Sequence, residues 1–361
     1  MALYQPGSLV SPDTSPQESP SQGFVVGVDI GGTNLRLTLA TMTGAIVGRW
    51  STSTVGIRSS DLVVSLICEG VDALLEQHSA SRDDLRAIAA GAPGITDTEK
   101  GIVLATSYLM GWTDVPFRDL LEAALGVPAF VDNDVNMAAL GEYHAGVAQG
   151  IDNFVFLAIG SGVGAGIVLN GQLFRGEGWI AGEIGYMLVP GVSVDPVADG
   201  EPGALEEIVG GEGIRKHWQN IWSEGATRLP REATATGIFE RALQQDPLAQ
   251  AVLERSSRTL AYAIYNISLM LNCPLFVLGG SIGLHPALGE ATRAIVHAQN
   301  ERVQPDVVPS SLGTEAQLTG AIFRAIEIAN TQSRIVAEGS PVKNVDPAIP
   351  AASFSGSASS D

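Results

Sequence analysis

The sequence predicts an α/β protein made of two related domains, and three observations lead to this prediction. Short apolar strands alternate along the chain with segments of helical periodicity, which is the pattern of α/β domains. One arrangement occurs twice, beginning near residue 24 and near residue 153: strand, glycine-rich tip, return strand, tight turn and third strand. Such a repeat indicates two copies of one structural unit. The length of 361 residues also exceeds that of one typical domain.

The individual elements follow from hydrophobic spacing and from turn residues. Apolar runs that end in glycine, proline or a polar turn predict strands, and apolar residues three and four apart predict helices. The expected strands cover residues 24–30, 35–40, 45–50, 85–92, 129–132, 153–159, 165–169, 172–174 and 275–278. The expected helices cover residues 60–78, 117–125, 135–145, 264–271 and 314–329. The N-terminal domain is placed at residues 23–130, completed by the C-terminal helix at about 314–330, and the C-terminal domain at residues 131–313.

Both ends of the chain are predicted to be disordered tails. Residues 1–22 are rich in Ser, Pro and Gln, and residues 331–361 drift into Ser, Ala, Pro and Asp. The first tail has neither the basic start nor the apolar core of a signal peptide. The two cysteines, Cys68 and Cys273, lie in apolar runs and cannot form a disulfide framework or a thiolate metal site. The cytoplasm is therefore the expected compartment.

The charge balance excludes several classes of partner. The formal net charge is −19, so no basic surface is expected for a nucleic acid or for an anionic membrane. No apolar run is long enough to span a bilayer. The three lysines, Lys100, Lys216 and Lys343, do not follow a glycine-rich loop, which excludes a Walker-type phosphate loop. A bound nucleotide would have to be neutralised by backbone amides, a metal ion and a few arginines.

A diglycine tip follows the first predicted strand. Gly31 and Gly32 leave backbone N–H groups unobstructed and Thr33 adds a hydroxyl donor, so this tip can hold a phosphate. Asp29 lies just before the tip, where its carboxylate could hold Mg²⁺ against that phosphate. The alternative is an ordinary β-meander with a glycine turn. The second copy of the pattern, with its tip at 160–164, favours the phosphate interpretation.

The second tip also fits a competing motif. Residues 160–165 match the dinucleotide-binding pattern with alanine in the last position. That motif requires a helix to begin at once, because the helix N-terminus binds the pyrophosphate. Here a strand and the Asn170-Gly171 turn follow instead. The context therefore excludes the oxidoreductase interpretation.

A dense polar cluster lies between the predicted strand 129–132 and the helix 135–145. It contains Asp132, Asn133, Asp134 and Asn136, at the edge where α/β proteins place their binding groups. A structural alternative is that Asp134 is a helix N-cap, which stabilises a helix by about 0.5–2 kcal/mol. One cap does not explain four polar residues, so the cluster indicates function. Glu206 and Glu207, by contrast, can be explained as first-turn acids of a helix.

Several motifs occur in the order seen in the ROK family, and the sequence resembles that family over about residues 24–330. The matching motifs are residues 29–34, 92–94, 111–112, 133–142, 160–166 and 182–185. This family comprises sugar kinases and sugar-responsive repressors of the actin-like, hexokinase-type ATPase superfamily. The resemblance implies two ribonuclease H-like domains of the actin and hexokinase type, with ATP and a hexose in the interdomain cleft. It also implies a homodimer.

The resemblance further implies roles for individual residues. Asp134 would be the general base that takes the proton of the sugar 6-hydroxyl during phosphoryl transfer, and Asp29 would face Mg²⁺. The implied sugar-binding residues are Pro93, Gly94, Asn133, Asp134, Glu183, Tyr186 and Glu206. The implied phosphate- and nucleotide-binding residues are Asp29, Gly31, Gly32, Thr33, Asn34, Arg36, Gly160, Ser161, Gly162, Gly279 and Gly280. Gly279 and Gly280 would approach the adenosine.

The sequence also departs from the family pattern. Tyr186 occupies the position where family members usually have a histidine that contacts sugar and in many members ligates zinc. The usual cysteine cluster is missing from residues 189–204, so no zinc site is expected. The first hypothesis is an ATP-dependent kinase of glucose or of an N-acyl hexosamine. The alternatives are a catalytically silent sugar-binding sensor of the same fold and a phosphotransferase that acts on a small acid such as acetate.

Overall fold

The computed structural model describes residues 8–9, 23–106, 109, 111–192 and 201–338, with the backbone alone at 8–9 and 335–338. The strands are β1 (Ser8–Leu9), β2 (Phe24–Ile30), β3 (Asn34–Thr41), β4 (Ile46–Ser53), β5 (Leu85–Ala92), β6 (Ile95–Asp97), β7 (Ile102–Ala105), β8 (Thr113–Val115), β9 (Ala129–Asn133), β10 (Phe154–Ile159), β11 (Val163–Leu169), β12 (Gln172–Leu173), β13 (Leu275–Gly279) and β14 (Asp306–Pro309).

The helices alternate with these strands, as predicted. They are α1 (Ser60–Gln77), α2 (Phe117–Leu125), α3 (Asp134–Ala145), α4 (Glu206–Val209), α5 (Gly211–Ile221), α6 (Ala235–Leu243), α7 (Pro247–Leu271), α8 (Gly280–Gly283), α9 (Pro286–His297) and α10 (Ala316–Glu338). Short 3₁₀ turns lie at Arg82–Asp84, Ile184–Tyr186 and Gly313–Glu315. None of the helices in the described part of the chain combines the length and the apolar character that a membrane crossing requires.

Two sheets repeat the same topology. The first sheet has the order β1-β4-β3-β2-β5-β9, and the second has the order β12-β11-β10-β13-β14. In each sheet, three antiparallel strands joined by tight turns are followed by two parallel strands on the other side. This shared order accounts for the repeat that the sequence shows. A third, smaller sheet, β6-β7-β8, was not predicted.

Helices α3 and α10 lie between the two sheets. Met137 of α3 packs with Ala321 and Ile322 of α10 against the first sheet, whereas Ala139 of α3 packs against Phe156 of the second sheet. The two helices approach closely because glycine lies at their contact. A Cβ on Gly320 would lie 1.8 Å from the carbonyl oxygen of Met137. The N-terminus of α3 is thereby fixed at the junction of the two domains.

Three predicted boundaries are corrected by the structure. Helix α10 continues to Glu338, so residues 331–338 of the predicted C-terminal tail are helical. Their Ser and Thr side chains fit a helix because Thr331 and Ser333 donate to backbone carbonyls four residues earlier. Ser8–Leu9 of the predicted N-terminal tail pair with β4. The boundary at 130/131 falls inside β9, which pairs with β5 as far as Asn133. The remaining residues of both tails lie outside the described residues.

Candidate active site

Asp134 is the first residue of α3, and the preceding residue caps this helix. Asn133 Oδ1 accepts hydrogen bonds from the backbone N–H groups of Val135 at 2.8 Å and of Asn136 at 3.2 Å. An N-cap of this kind satisfies two of the free N–H groups of the helix. The structural explanation considered for Asp134 therefore applies to Asn133. Asp134 projects from the first turn without being needed as the cap.

The environment of Asp134 favours its neutral form. Burial, together with the negative charges of Asp29 and Glu183, raises the pKa of Asp134 to about 7, against the opposing effect of the hydrogen bond from the N–H of Val135. That N–H lies 2.9 Å from Asp134 Oδ1. The side chain is half-buried, so it keeps access to the cleft. A carboxylate with a pKa near neutrality is well matched to accept a proton from a hydroxyl group.

The other acid of the cluster, Asp132, forms hydrogen bonds with residues on both sides of Asp134 in the sequence. Its side chain is almost fully buried, and the residue is 1% exposed. Asp132 Oδ2 accepts two hydrogen bonds from Arg175, from Nε at 3.0 Å and from Nη2 at 2.7 Å. Its Oδ1 accepts from the N–H of Asn133 at 2.7 Å and from Nδ2 of Asn136 at 3.0 Å. Asp132 and Asn136 thus hold the β9–α3 turn in place, and both carboxylate oxygens of Asp132 are occupied by donors.

The Pro93-Gly94 turn lies against the same residues. Asn133 Nδ2 donates to the carbonyl oxygen of Gly94 at 2.9 Å. Gly94 has a φ of +100°, and a Cβ there would lie 2.1 Å from the carbonyl oxygen of Ala105. Only glycine fits this position. The structure therefore brings the predicted turn next to Asn133 and Asp134.

Two further predicted acids approach the same cleft. Glu183 precedes the 3₁₀ turn Ile184–Tyr186, and Glu206 begins α4. Burial raises the pKa of both carboxyls, and the charge of Glu206 raises that of Glu183 further. Glu206 Oε2 accepts a hydrogen bond from the N–H of Val163 at 2.9 Å, so this residue also contacts the second glycine hairpin. Tyr186 is 49% exposed.

The first glycine hairpin has an open tip. The turn closes with a hydrogen bond of 2.8 Å from the N–H of Gly31 to the carbonyl oxygen of Asn34, while Gly32 and Thr33 are exposed. Asp29 lies on β2 just below and is 8% exposed. Arg36 was predicted to bind phosphate. Its guanidinium binds Asp29, with Nε 2.7 Å from Oδ2, and also contacts Thr314, and its role in phosphate binding stays a prediction.

The second glycine hairpin joins β10 to β11 through Gly160, Ser161 and Gly162. The N–H of Gly211, at the start of α5, donates to the carbonyl oxygen of Gly160 at 2.9 Å. The predicted third glycine tip is the end of β13 followed by the short helix α8. Gly280 has a φ of +77°, and a Cβ there would lie 2.4 Å from the carbonyl oxygen of Ile159. The structure thus brings Gly279 and Gly280 beside the second hairpin.

Sequence reasoning missed a cavity beside this hairpin. The cavity has a volume of about 220 Å³, and Ser161 and Glu206 line it together with polar side chains of α5 and α7. The residues that were not predicted are Lys216, His217, Asn220 and Arg255. Burial lowers the pKa of His217, and the charge of Arg255 lowers it further. The polar face of α5, with residues three and four apart, was the sequence signal for this cavity.

The carboxylates present fit a magnesium site better than a zinc site. Among the residues that the structure describes, no three His, Cys, Asp or Glu side chains are grouped as metal ligands. Zinc sites usually need three or four such ligands, whereas Mg²⁺ is usually bound by one or two carboxylates together with substrate phosphates. The negative charge of Asp29 raises the pKa of Asp134, so these two carboxylates lie near each other. Asp29 is therefore available as a carboxylate ligand of the kind that Mg²⁺ uses. Residues 193–200 lie outside the described part, so the predicted lack of zinc stays a prediction.

Two sheets of one topology, each with a glycine hairpin, and the likeness to solved hexokinase and glucokinase structures define a protein of the actin-like ATPase class. The predicted fold class is thereby confirmed. The chain belongs to the ROK family, whose family model matches residues 25–327.

Two named relatives of this chain are sugar kinases. A glucokinase of Halalkalibacterium halodurans is 34% identical over 273 residues, which cover 73% of this chain and 81% of that protein. An N-acetylmannosamine kinase of Shigella flexneri is 30% identical over 302 residues, covering 83% of this chain and 98% of that protein. These relatives confirm the predicted enzyme class, a sugar kinase.

Solved structures share the fold of this chain. A ROK family glucokinase from Streptomyces griseus, in complex with glucose and AMPPNP, has a TM-score of 0.68 and 26% identity. The match covers 84% of this chain and 100% of that chain. A ROK family transcriptional regulator, a homologue of the Escherichia coli MLC protein, has a TM-score of 0.72 at 24% identity and covers 89% of this chain and 83% of that chain. The second match shows a shared fold alone.

Proposed function

We propose that the protein transfers the γ-phosphoryl group of ATP to the 6-hydroxyl of a hexose, with Asp134 as the general base. The observation that carries this proposal is the place of Asp134: it starts α3, has a pKa near 7 and is not the helix cap. Glucose and N-acyl hexosamines are the proposed sugars, because the relatives include a glucokinase and an N-acetylmannosamine kinase. A homodimer and a cytoplasmic location belong to the same proposal.

In this mechanism the residues of the chain mainly orient the sugar and move one proton. Asp134 accepts the proton of the attacking hydroxyl, while Asn133 and Glu183 orient neighbouring hydroxyl groups. The Asp132–Arg175 pair keeps the β9–α3 turn rigid, which fixes the distance between base and hydroxyl. The glycine hairpins offer backbone N–H groups to the phosphates. Mg²⁺ bound with the nucleotide would neutralise phosphate charge, and Asp29 is the residue assigned to face it.

The donor nucleotide is assigned to the second hairpin and its surroundings. Gly279 and Gly280 lie beside this hairpin, in close contact with Phe156 and Ile159. The cavity next to Ser161 adjoins the same tip and is lined by charged and polar groups of α5 and α7. These features support the assignment of the nucleoside to this side of the cleft.

A coupled assay of ADP release tests the proposal directly. The purified protein is screened with MgATP and glucose, mannose, fructose, allose, N-acetylglucosamine or N-acetylmannosamine. We expect turnover with glucose or with one N-acyl hexosamine, because their kinases are the relatives of this chain. Thermal stabilisation by one sugar without turnover on any of them would contradict the kinase proposal. It would favour the catalytically silent sugar sensor. That alternative is based on Tyr186, which occupies the position of the family histidine.

The pH dependence of turnover is expected to follow the ionisation of Asp134. The pKa of Asp134 is raised from 3.8 to about 7, so the free enzyme holds the proton below neutrality and loses it above. Only the ionised form can act as the base. We expect kcat/KM to fall about tenfold for each pH unit below about 7 and to level off above it. A profile of kcat/KM that stays flat from about pH 5 to about pH 8 would contradict this assignment.

A further inference from the structure

A row of charged residues crosses the first sheet at the level of Asp29, with one gap. Arg36 on β3 pairs with Asp29 on β2, which pairs on its other side with Gly91 on β5. Gly91 pairs in turn with Asp132 on β9. Residues that lie opposite each other on neighbouring strands share one face of a sheet. The position of Gly91, which has no side chain, is therefore the point where another element can enter the row.

Gln317 of α10 fills the position over Gly91. Its Nε2 donates to the carbonyl oxygen of Gly91 at 3.4 Å. A Cβ on Gly91 would lie 2.7 Å from Gln317 Nε2 and 3.3 Å from the Cα of Asp134. The amide of Gln317 also provides a hydrogen bond to the carboxylate of Asp29. The glycine at position 91 thus lets this amide lie next to both Asp29 and Asp134.

The packing of α10 fixes Gln317 in this place. Gln317 is the second residue of α10, and its neighbours Ala316 and Leu318 are buried. The carbonyl oxygen of Ala316 lies so close to Gly141 of α3 that a Cβ there would be only 2.0 Å away. The carbonyl oxygen of Leu318 approaches Gly27 of β2, where a Cβ would be 2.9 Å away. The backbone on either side of Gln317 is therefore held by α3 and by the sheet.

The carboxylate of Asp29 consequently has a donor on each side. Arg36 Nε donates to Asp29 Oδ2 at 2.7 Å from the side of β3. The amide of Gln317 reaches the carboxylate from the side of β5. Hydrogen bonds of this kind orient a carboxylate that binds a cation. The proposed mechanism uses Asp29 to face Mg²⁺ and assigns no role to Gln317.

We propose that Gln317 is a positioning residue that, together with Arg36, fixes the orientation of the Asp29 carboxylate toward the cleft. The inference rests on the proposed function in one respect, the divalent cation that Asp29 is assigned to face. A primary amide has two N–H groups, so one can donate to the carbonyl of Gly91 and the other to Asp29. Loss of the amide leaves Asp29 with a donor on one side only, and its carboxylate is then free to turn.

The test uses Mn²⁺, which binds the same kinds of ligand as Mg²⁺ and is detected by electron paramagnetic resonance. Mn²⁺ is titrated into the protein in the presence of AMPPNP, and its Kd follows from the signal of the free ion. In Gln317→Met we expect this Kd to rise by about tenfold or more, the usual effect of losing a hydrogen-bond partner of a metal ligand. The matched control is Gln332→Met, an exposed position of the same helix, which should bind Mn²⁺ like the wild type.

A second substitution separates the position of the amide from the packing of α10. Gly91→Ala introduces a Cβ where Gln317 Nε2 now lies 2.7 Å away, so it displaces the amide without changing α10. We expect it to weaken Mn²⁺ binding as Gln317→Met does. In a Gln317→Ala background there is no amide to displace, so Gly91→Ala should there raise the Kd by less than about threefold. Thermal unfolding of each variant checks that the fold is retained.

Each contrary outcome is decisive. A Kd for Mn²⁺ in Gln317→Met within about twofold of the wild type would overturn the proposal, because the amide would then serve packing alone. Equal losses in Gln317→Met and Gln332→Met would overturn it too, as would additive effects of Gly91→Ala and Gln317→Ala. If Gln317→Met does not fold, Gly91→Ala decides, and an unchanged Kd contradicts the proposal.

The failure of this proposal is distinguishable from the failure of the proposed function. A wild type that binds no Mn²⁺ with AMPPNP would overturn the role of Gln317, since Asp29 would then face no cation. A wild type that binds Mn²⁺ and shows the expected loss in Gln317→Met, but phosphorylates no sugar, would remove the kinase proposal and leave this one standing.

Discussion

Replacement of Asp134 by asparagine is expected to lower kcat by about 10²–10⁴-fold, which is the usual contribution of a general base. Asparagine has nearly the same shape, and its carbonyl oxygen can still accept the hydrogen bond of Val135. It cannot take a proton from the sugar hydroxyl at neutral pH. The Kd for the sugar should therefore change little, because Asn133 and Glu183 are untouched. The measurements are kcat by ADP release and Kd by calorimetry, and near-normal turnover would refute the role of Asp134.

Two comparisons separate catalysis from folding in this variant. Asp61 is the first-turn acid of α1, outside the candidate site, so Asp61→Asn is a matched control that should leave kcat unchanged. Thermal stability gives an independent readout. The folded-state pKa of Asp134 is raised, so its ionisation costs stability increasingly from about pH 4 to about pH 7, and this cost remains above that range. Asp134→Asn should therefore raise Tm more at pH values above about 7 than near pH 4.

The candidate site was predicted from sequence only where its residues are close together in the chain. The run Asp132 to Asn136 was recognisable as functional because it is polar between apolar elements. The separate roles of its residues could not be predicted. The helix cap formed by Asn133 and the contact of Asp132 with Asn136 both depend on hydrogen-bond geometry. Partners from distant segments could not be inferred at all. Arg175 is 43 positions from Asp132, and no periodicity relates two residues at such a separation.

The fold was predictable where hydrophobic patterns are strong and well bounded. Residues 24–30, 85–92 and 117–125 match observed elements at both ends, because apolar positions dominate them and turn residues close them. Helix α7 was recognised only in its last third. Its first part carries the charged residues Glu254, Arg255 and Arg258, although Asp246 and Pro247 mark its start clearly. Strands β6 to β8 have only three or four residues each, too few to show a period.

Loss of the Arg175 side chain is expected to damage both stability and catalysis. Arg175→Met leaves Asp132 buried without its cation, and breaking a buried pair in this way costs about 3–5 kcal/mol. The free energy of unfolding, measured in urea, should fall by that amount. Because Asp132 also holds the N–H of Asn133 and the amide of Asn136, the turn before Asp134 loosens. We therefore expect kcat to fall as well, by about tenfold or more, as positioned reactions are sensitive to small displacements.

A second ion pair provides the control for this prediction. Arg241 binds Asp246, which is also almost fully buried, and this pair lies at the start of α7 with no contact to the β9–α3 turn. Arg241→Met should lower the free energy of unfolding but leave kcat unchanged. Neutralising the other partner, in the double variant Asp132→Asn with Arg175→Met, should restore part of the stability because the unpaired charge is removed. If kcat recovers in parallel, the charge disturbed the site; if it stays low, orientation of the turn by Arg175 sets the position of the base. Normal kcat in the single variant Arg175→Met would show that the interactions of Asp132 stabilise the fold and do not affect catalysis.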